Sequence, residues 1–97
     1  MSKPVIAVTR KLPAPVEARM ATLFDARLNA DDRAMTAGRI VAACHGADVL
    51  VPTVTDAIDA AVIDALPPGL GLIANFGVGV NHIDLAAAAR RGIEVTN

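Results

Sequence analysis

At 97 residues the chain is one domain in size, long enough to bury a core but short for an enzyme that carries its own cofactor. Hydrophobic residues make up 54% of it, yet there is no Trp or Tyr and only two Phe, so the core has to be built from Val, Ile, Leu and Ala. Nine basic residues against ten acidic ones give a formal net charge of −1, which argues against nucleic acid because no cationic excess exists to displace phosphate counterions.

The chain opens "MSKPVIAVTRKLP", with one short apolar run and no cleavage-type ending. Neither a signal peptide nor a membrane span is read, since a span needs ~18 or more continuous apolar residues. The run "VIAV" from Val5 is the first predicted strand. It lacks the alternation of a half-wet strand and suits one covered on both faces. From Ala14 to Phe24 the residues Val16, Met20, Leu23 and Phe24 recur at helical spacing and define one apolar side. A short polar strand is expected at "DARLN", near residue 27, with the brevity and charge of a sheet edge.

Thr36 to His45 reads as a second helix carrying Ile40, Val41 and Cys44, with Gly46 as its stop. "DVLV" from Asp48 is the next buried strand. Ile58, Val62, Ile63 and Leu66 line a third helix, halted at Pro67-Pro68-Gly69. "LIANF" from Leu72 follows as a strand, then the segment "NFGVGVNHID". A fourth helix runs from Leu85 to Arg91. Asp84 can accept hydrogen bonds from its first turn, Arg90 and Arg91 suit its negative end, and Gly92 can close it. "IEVT" from Ile93 is the fifth strand.

This alternation predicts an α/β fold, a flavodoxin-like doubly wound parallel sheet of strand order 2-1-3-4-5. Because the chain stops at Asn97, directly after the fifth strand, it reads as a truncated domain. Ligands in such sheets bind beyond the carboxyl ends of the strands, where the strand order reverses. Three loops meet there: Thr9-Arg10-Lys11, Pro52-Thr53-Val54 and Phe76-Gly77-Val78-Gly79.

The glycine loop has three readings. A dinucleotide phosphate loop of G-x-G-x-x-G type needs glycine at position 82, where His82 stands, and belongs after the first strand of its unit. A plain turn is the second reading. The third, preferred here, is a concave nest of backbone N–H groups for a small carboxylate. Arg10 and Lys11 could draw an anion toward the crevice, although solvated basic residues are commoner at strand ends. Pro52 and Thr53 are read as pocket wall, with Thr53 or Thr55 as an alternative cap for the following helix. His82 is read as a packing group ahead of a general base, because the nearby Asp84 is assigned to capping. Cys44 and His45 are adjacent on a helix, point different ways and make a poor metal pair. The lone Cys44 fits a reducing, cytoplasmic setting.

"NFGVGVNHIDLAAAARRGIEVTN" resembles the signature that closes the first segment of the D-isomer-specific 2-hydroxyacid dehydrogenases. "VTRKLP" resembles in particular the glyoxylate and hydroxypyruvate reductases of that family. The resemblance runs in order from Val5 to Asn97. It implies that residues 1–97 are a partial substrate-binding domain and that the nucleotide-binding domain lies outside them. It also implies that Val78 and Gly79 donate main-chain N–H groups to a 2-oxo acid, beside Phe76 and Gly77, with Pro52 and Thr53 walling the substrate side. The catalytic arginine, the histidine–carboxylate pair and the site for NAD or NADP would lie in later sequence, as would most of a homodimer interface. No catalytic, cofactor or metal residue is assigned here, and the fragment by itself is expected to be inactive. A stand-alone flavodoxin-like module binding a small anion is the alternative. Thr9-Arg10-Lys11 in place of receiver acids, and Leu12-Pro13 in place of a flavin loop, weaken it.

Overall fold

A computed structural model describes residues 3–97. Five parallel strands form one sheet: β1 (Val5–Val8), β2 (Asp25–Arg27), β3 (Val49–Val51), β4 (Leu72–Ala74) and β5 (Glu94–Thr96). Their order is β2-β1-β3-β4-β5, as the periodicity predicts. Register follows from the pairs Val5 with Asp25, Ile6 with Val49, Val49 with Leu72 and Leu72 with Glu94.

Helices α1 (Ala14–Leu23), α2 (Ala37–Ala43), α3 (Ala60–Ala65) and α4 (Leu85–Arg90) make the crossovers. On one face of the sheet, Ala7, Leu50 and Ile73 pack against Ile40, Cys44, Val62, Ile63, Ala87 and Ala88 from the last three helices. On the other face Ile6, Val8 and Val51 join Leu12 and pack against α1 and its C-cap, through the half-buried Val16, Met20 and Phe24. Strand residues thus alternate between two covered faces, which is why β1 and β3 read as continuous apolar runs.

Three local details differ from the sequence reading. Ile58 precedes α3 and pairs as an isolated bridge with Ile83. The cap of α3 is Asp59, whose carboxylate accepts from Val62 N at 3.0 Å, so neither Thr53 nor Thr55 has that role. Leu23, the last residue of α1, is 49% exposed and so does not join the apolar side formed by Val16, Met20 and Phe24. Asp84 caps α4 as expected, accepting from Ala87 N at 3.0 Å, and Gly92 ends it at φ +67°. Arg91, however, serves its neighbour: its guanidinium donates to the carbonyls of Ile63 and Leu66 at the C-terminal end of α3. There it adds a donor to the Leu66 carbonyl and to the Ile63 carbonyl, which also accepts from Leu66 N at 3.2 Å.

Candidate functional site

The three predicted loops come together at the carboxyl ends of β1, β3 and β4. Pairing of β3 with β4 continues past both strands, since Thr53 bridges Phe76 and Phe76 N donates to the Pro52 carbonyl at 2.9 Å. That places Pro52 and Thr53 directly beside the glycine loop. A cleft of about 310 Å³ is lined by Arg10, Lys11, Leu12, Asp32, Thr53, Val54, Thr55 and Phe76. Gly77, Val78 and Gly79 stand outside its lining. Pro52 is fully buried and supports the wall from behind.

The β1–β3 side of this region is closed by its own hydrogen bonds. Asp56 is buried and accepts from the Thr9 hydroxyl, from Thr53 N at 2.9 Å and, at a longer 3.4 Å, from the Thr53 hydroxyl. Asp56 N in turn donates to the Thr53 carbonyl at 3.0 Å. The bond from Thr53 N to the carboxylate is one half of a capping box, and the bond from Asp56 N closes a turn four residues ahead of α3. The acid therefore pins the wall loop to the end of β1. Sequence reasoning missed Asp56, although Thr53-x-x-Asp56 is the spacing of such a box.

Arg10 is also engaged within the chain. Its Nε lies 2.9 Å from Asp32 Oδ1 and its Nη1 donates to Thr55 Oγ1 at 3.0 Å. Asp32, a non-glycine residue at φ +53°, accepts from Lys11 N as well, at 2.8 Å. The hydrogen bond from Arg10, then that from Lys11 N, hold the Asp32 carboxyl below its ordinary range, and the same ion pair raises the Arg10 guanidinium. An arginine so occupied presents little unpaired charge to a ligand.

The glycine loop is built differently. Gly77 sits at φ +145°, a region that L side chains avoid, and a Cβ there would lie 3.3 Å from Val54. Gly79 needs neither exemption: its φ is ordinary and nothing lies within 4 Å of the Cβ position. Val78 is 96% exposed, so its side chain contributes nothing to packing. Among the described residues, none accepts a hydrogen bond from the backbone N–H of Gly77, Val78 or Gly79. Successive free donors beside an open backbone position are the makings of an anion nest.

Below the loop lies the buried Asn75. Its amide donates to the Gly79 carbonyl at 2.8 Å and its oxygen meets His82 Nε2 at 2.8 Å. His82 is thus a brace within the chain, in line with the packing role read from sequence. Cys44 and His45 separate as their adjacency implies. The thiol is buried, and burial pushes its pKa up to about 11, while His45 is exposed. Among the described residues no group of three His, Cys, Asp or Glu side chains is placed to hold a metal ion. No helix there is long and apolar enough to cross a membrane.

Comparison with known proteins follows the same outline. Residues 6–97 match the family model described as D-isomer specific 2-hydroxyacid dehydrogenase, catalytic domain. Glycerate dehydrogenase from Hyphomicrobium methylovorum is 33% identical over 97 residues, covering 100% of this chain and 30% of that protein. Glyoxylate reductase from Korarchaeum cryptofilum is 36% identical over 95 residues, covering 98% of this chain and 28% of the relative. A crystal structure from Polaromonas sp. JS6 66, described as a D-isomer specific 2-hydroxyacid dehydrogenase, superposes with a TM-score of 0.89 at 40% identity. It covers 98% of this chain and 30% of that one. The NADPH-dependent glyoxylate/hydroxypyruvate reductase of Sinorhizobium meliloti, solved with NADP and malonate, gives a TM-score of 0.76 at 31% identity. This chain spans under a third of the length of these relatives.

Proposed function

This chain belongs to the D-isomer-specific 2-hydroxyacid dehydrogenase family, and on that premise we propose that it is the substrate-binding part of a reductase of small 2-oxo acids. The substrates in this reading are glyoxylate or hydroxypyruvate, reduced to D-2-hydroxy acids by NADH or NADPH. Residues 1–97 form a partial substrate domain, and the remainder of the protein binds the nicotinamide cofactor and supplies the catalytic side chains. The complete protein is a cytoplasmic homodimer that acts on no nucleic acid or membrane.

The observation that carries this reading is the set of N–H groups at Gly77, Val78 and Gly79 that find no acceptor among the described residues, beyond the carboxyl ends of the strands. Val78 and Gly79 donate to the substrate carboxylate, and Phe76, Gly77, Pro52 and Thr53 shape the space beside it. Gly79 then has a reason to lack a side chain: the backbone has to be approached by a ligand, since no neighbour crowds it. Holding the carboxylate by main-chain donors fixes the orientation of the adjoining 2-oxo group for chemistry supplied elsewhere in the protein. Two N–H bonds to a carboxylate contribute roughly 1.5–3 kcal/mol each, so residues 1–97 alone bind such an acid at millimolar affinity or weaker.

The test is Gly79→Pro in the complete protein, which removes one donor and restricts φ. The expected outcome is a raised KM for glyoxylate with the KM for the nicotinamide cofactor unchanged. An unaltered KM for glyoxylate would remove the nest assignment.

A further inference from the structure

The loop that carries the free donors contains two glycines within three residues, and such a backbone can rotate its peptide planes with little resistance. A rotated plane would present a carbonyl oxygen, which repels an anion, in place of an N–H. Two asparagines act on this freedom. Asn75 follows β4 and Asn97 follows β5, and the register of Ala74 with Thr96 makes them equivalent positions on neighbouring strands. The strands remain joined at this level, because Asn75 N donates to the Thr96 carbonyl at 2.8 Å.

Both side chains reach the same loop and bind consecutive carbonyls. The Asn97 amide donates to the Val78 carbonyl, and the Asn75 amide donates to the Gly79 carbonyl at 2.8 Å. A trans peptide sets its C=O and the following N–H in opposite directions. Holding the Val78 carbonyl toward Asn97 therefore turns the Gly79 N–H away from it. Holding the Gly79 carbonyl toward Asn75 does the same for the N–H of Val80, which also has no acceptor among the described residues. Asn75 is itself oriented by His82, whose ring nitrogen lies 2.8 Å from the Asn75 oxygen and leaves the NH₂ directed at Gly79.

We propose that Asn75 and Asn97 are positioning residues that lock the Val78–Gly79 and Gly79–Val80 peptide planes with carbonyls drawn back and N–H groups free for a carboxylate. The inference rests on the nest reading above and adds its mechanism: the site is preorganised by two side-chain amides. It also enlarges the donor set, since the N–H of Val80 joins that of Gly79. Preorganisation of this kind raises affinity by removing the cost of ordering the loop on binding.

Asn97 is exposed and makes the cleaner probe, whereas Asn75 is buried and its replacement can perturb folding. The experiment is an NMR titration of the complete protein with oxamate, an unreactive isostere of a 2-oxo acid, following the backbone amide shifts of this loop. Saturable shifts at Gly79 and Val80 are expected. Asn97→Ala, which removes the donor without adding charge, should weaken oxamate binding about two- to tenfold, the equivalent of one hydrogen bond. Its thermal midpoint should not move, and Asn97→Gln, which keeps an amide donor, should recover part of the loss. Unchanged oxamate affinity in Asn97→Ala would overturn the positioning role if Gly79→Pro still abolishes binding. Equal affinity in both variants, or no saturable shift in the unsubstituted protein, would overturn the nest itself.

Discussion

The two sides of the strand-end region are built on opposite principles. On the β1–β3 side, Asp56 accepts from Thr9 and Thr53, and Asp32 accepts from Arg10 and Lys11. On the β4–β5 side, the N–H groups of the loop from Gly77 to Gly79 find no partner among the described residues, and the loop is held through its carbonyls. One side is closed by its own hydrogen bonds, and the other keeps main-chain donors free. Charge therefore misleads as a guide to the site here. The arginine and lysine that look like anion ligands stand beside Asp32, while the free donors belong to residues without any charge.

The contrast can be broken most forcefully at Asp56. Asp56→Ala leaves the Thr9 hydroxyl and the Thr53 N–H without their buried acceptor, and should cost about 2–4 kcal/mol of stability. Urea denaturation measures it, and a loss below about 0.5 kcal/mol would show that the wall is not held by this carboxylate. Gly77→Ala comes next. Its φ of +145° and the closeness of Val54 predict roughly 1–3 kcal/mol of destabilisation, read in the same assay.

Gly79→Ala sharpens the comparison, because the fold gives no reason for glycine there. Its stability should stay within about 0.5 kcal/mol of the parent while binding of oxamate weakens. Equal oxamate affinity would show that no ligand approaches that backbone.

The smallest effect belongs to the ion pair on the wall side. With its folded-state pKa depressed by Arg10, Asp32 contributes stability that is present above its unfolded value and lost as pH falls through the folded one. The window thus lies below pH 3.8. An NMR titration of the Asp32 carboxyl should find its midpoint under that value in the parent and shifted upward in Arg10→Gln. An unshifted midpoint in the variant would show that the guanidinium does not set it.

Much of the fold was legible in the sequence because its signals are local. The apolar runs at Val5, Val49 and Leu72 mark strands covered on both sides, and Asp84 and Gly92 bracket α4 at the positions where capping chemistry requires them. In the glycine loop His82 removes the phosphate pattern from the sequence itself, while the partners of the loop carbonyls, Asn75 and Asn97, are set by the fold. Ile58 was misplaced into α3 because helical spacing cannot distinguish a residue in the first turn from one pairing with a distant loop.

What the sequence determined by itself is the order of elements and the strand topology. Only the tertiary structure decided who holds whom. Asp56 reaches Thr9 across 47 residues, Arg10 meets Asp32 across 22, Asn97 reaches Val78 across 19, and Arg91 caps a helix 25 to 28 residues away. Periodicity and capping report on neighbours within a turn or two of chain. A side-chain hydrogen bond between segments depends on strand register and loop direction, which packing fixes only after the sheet has formed.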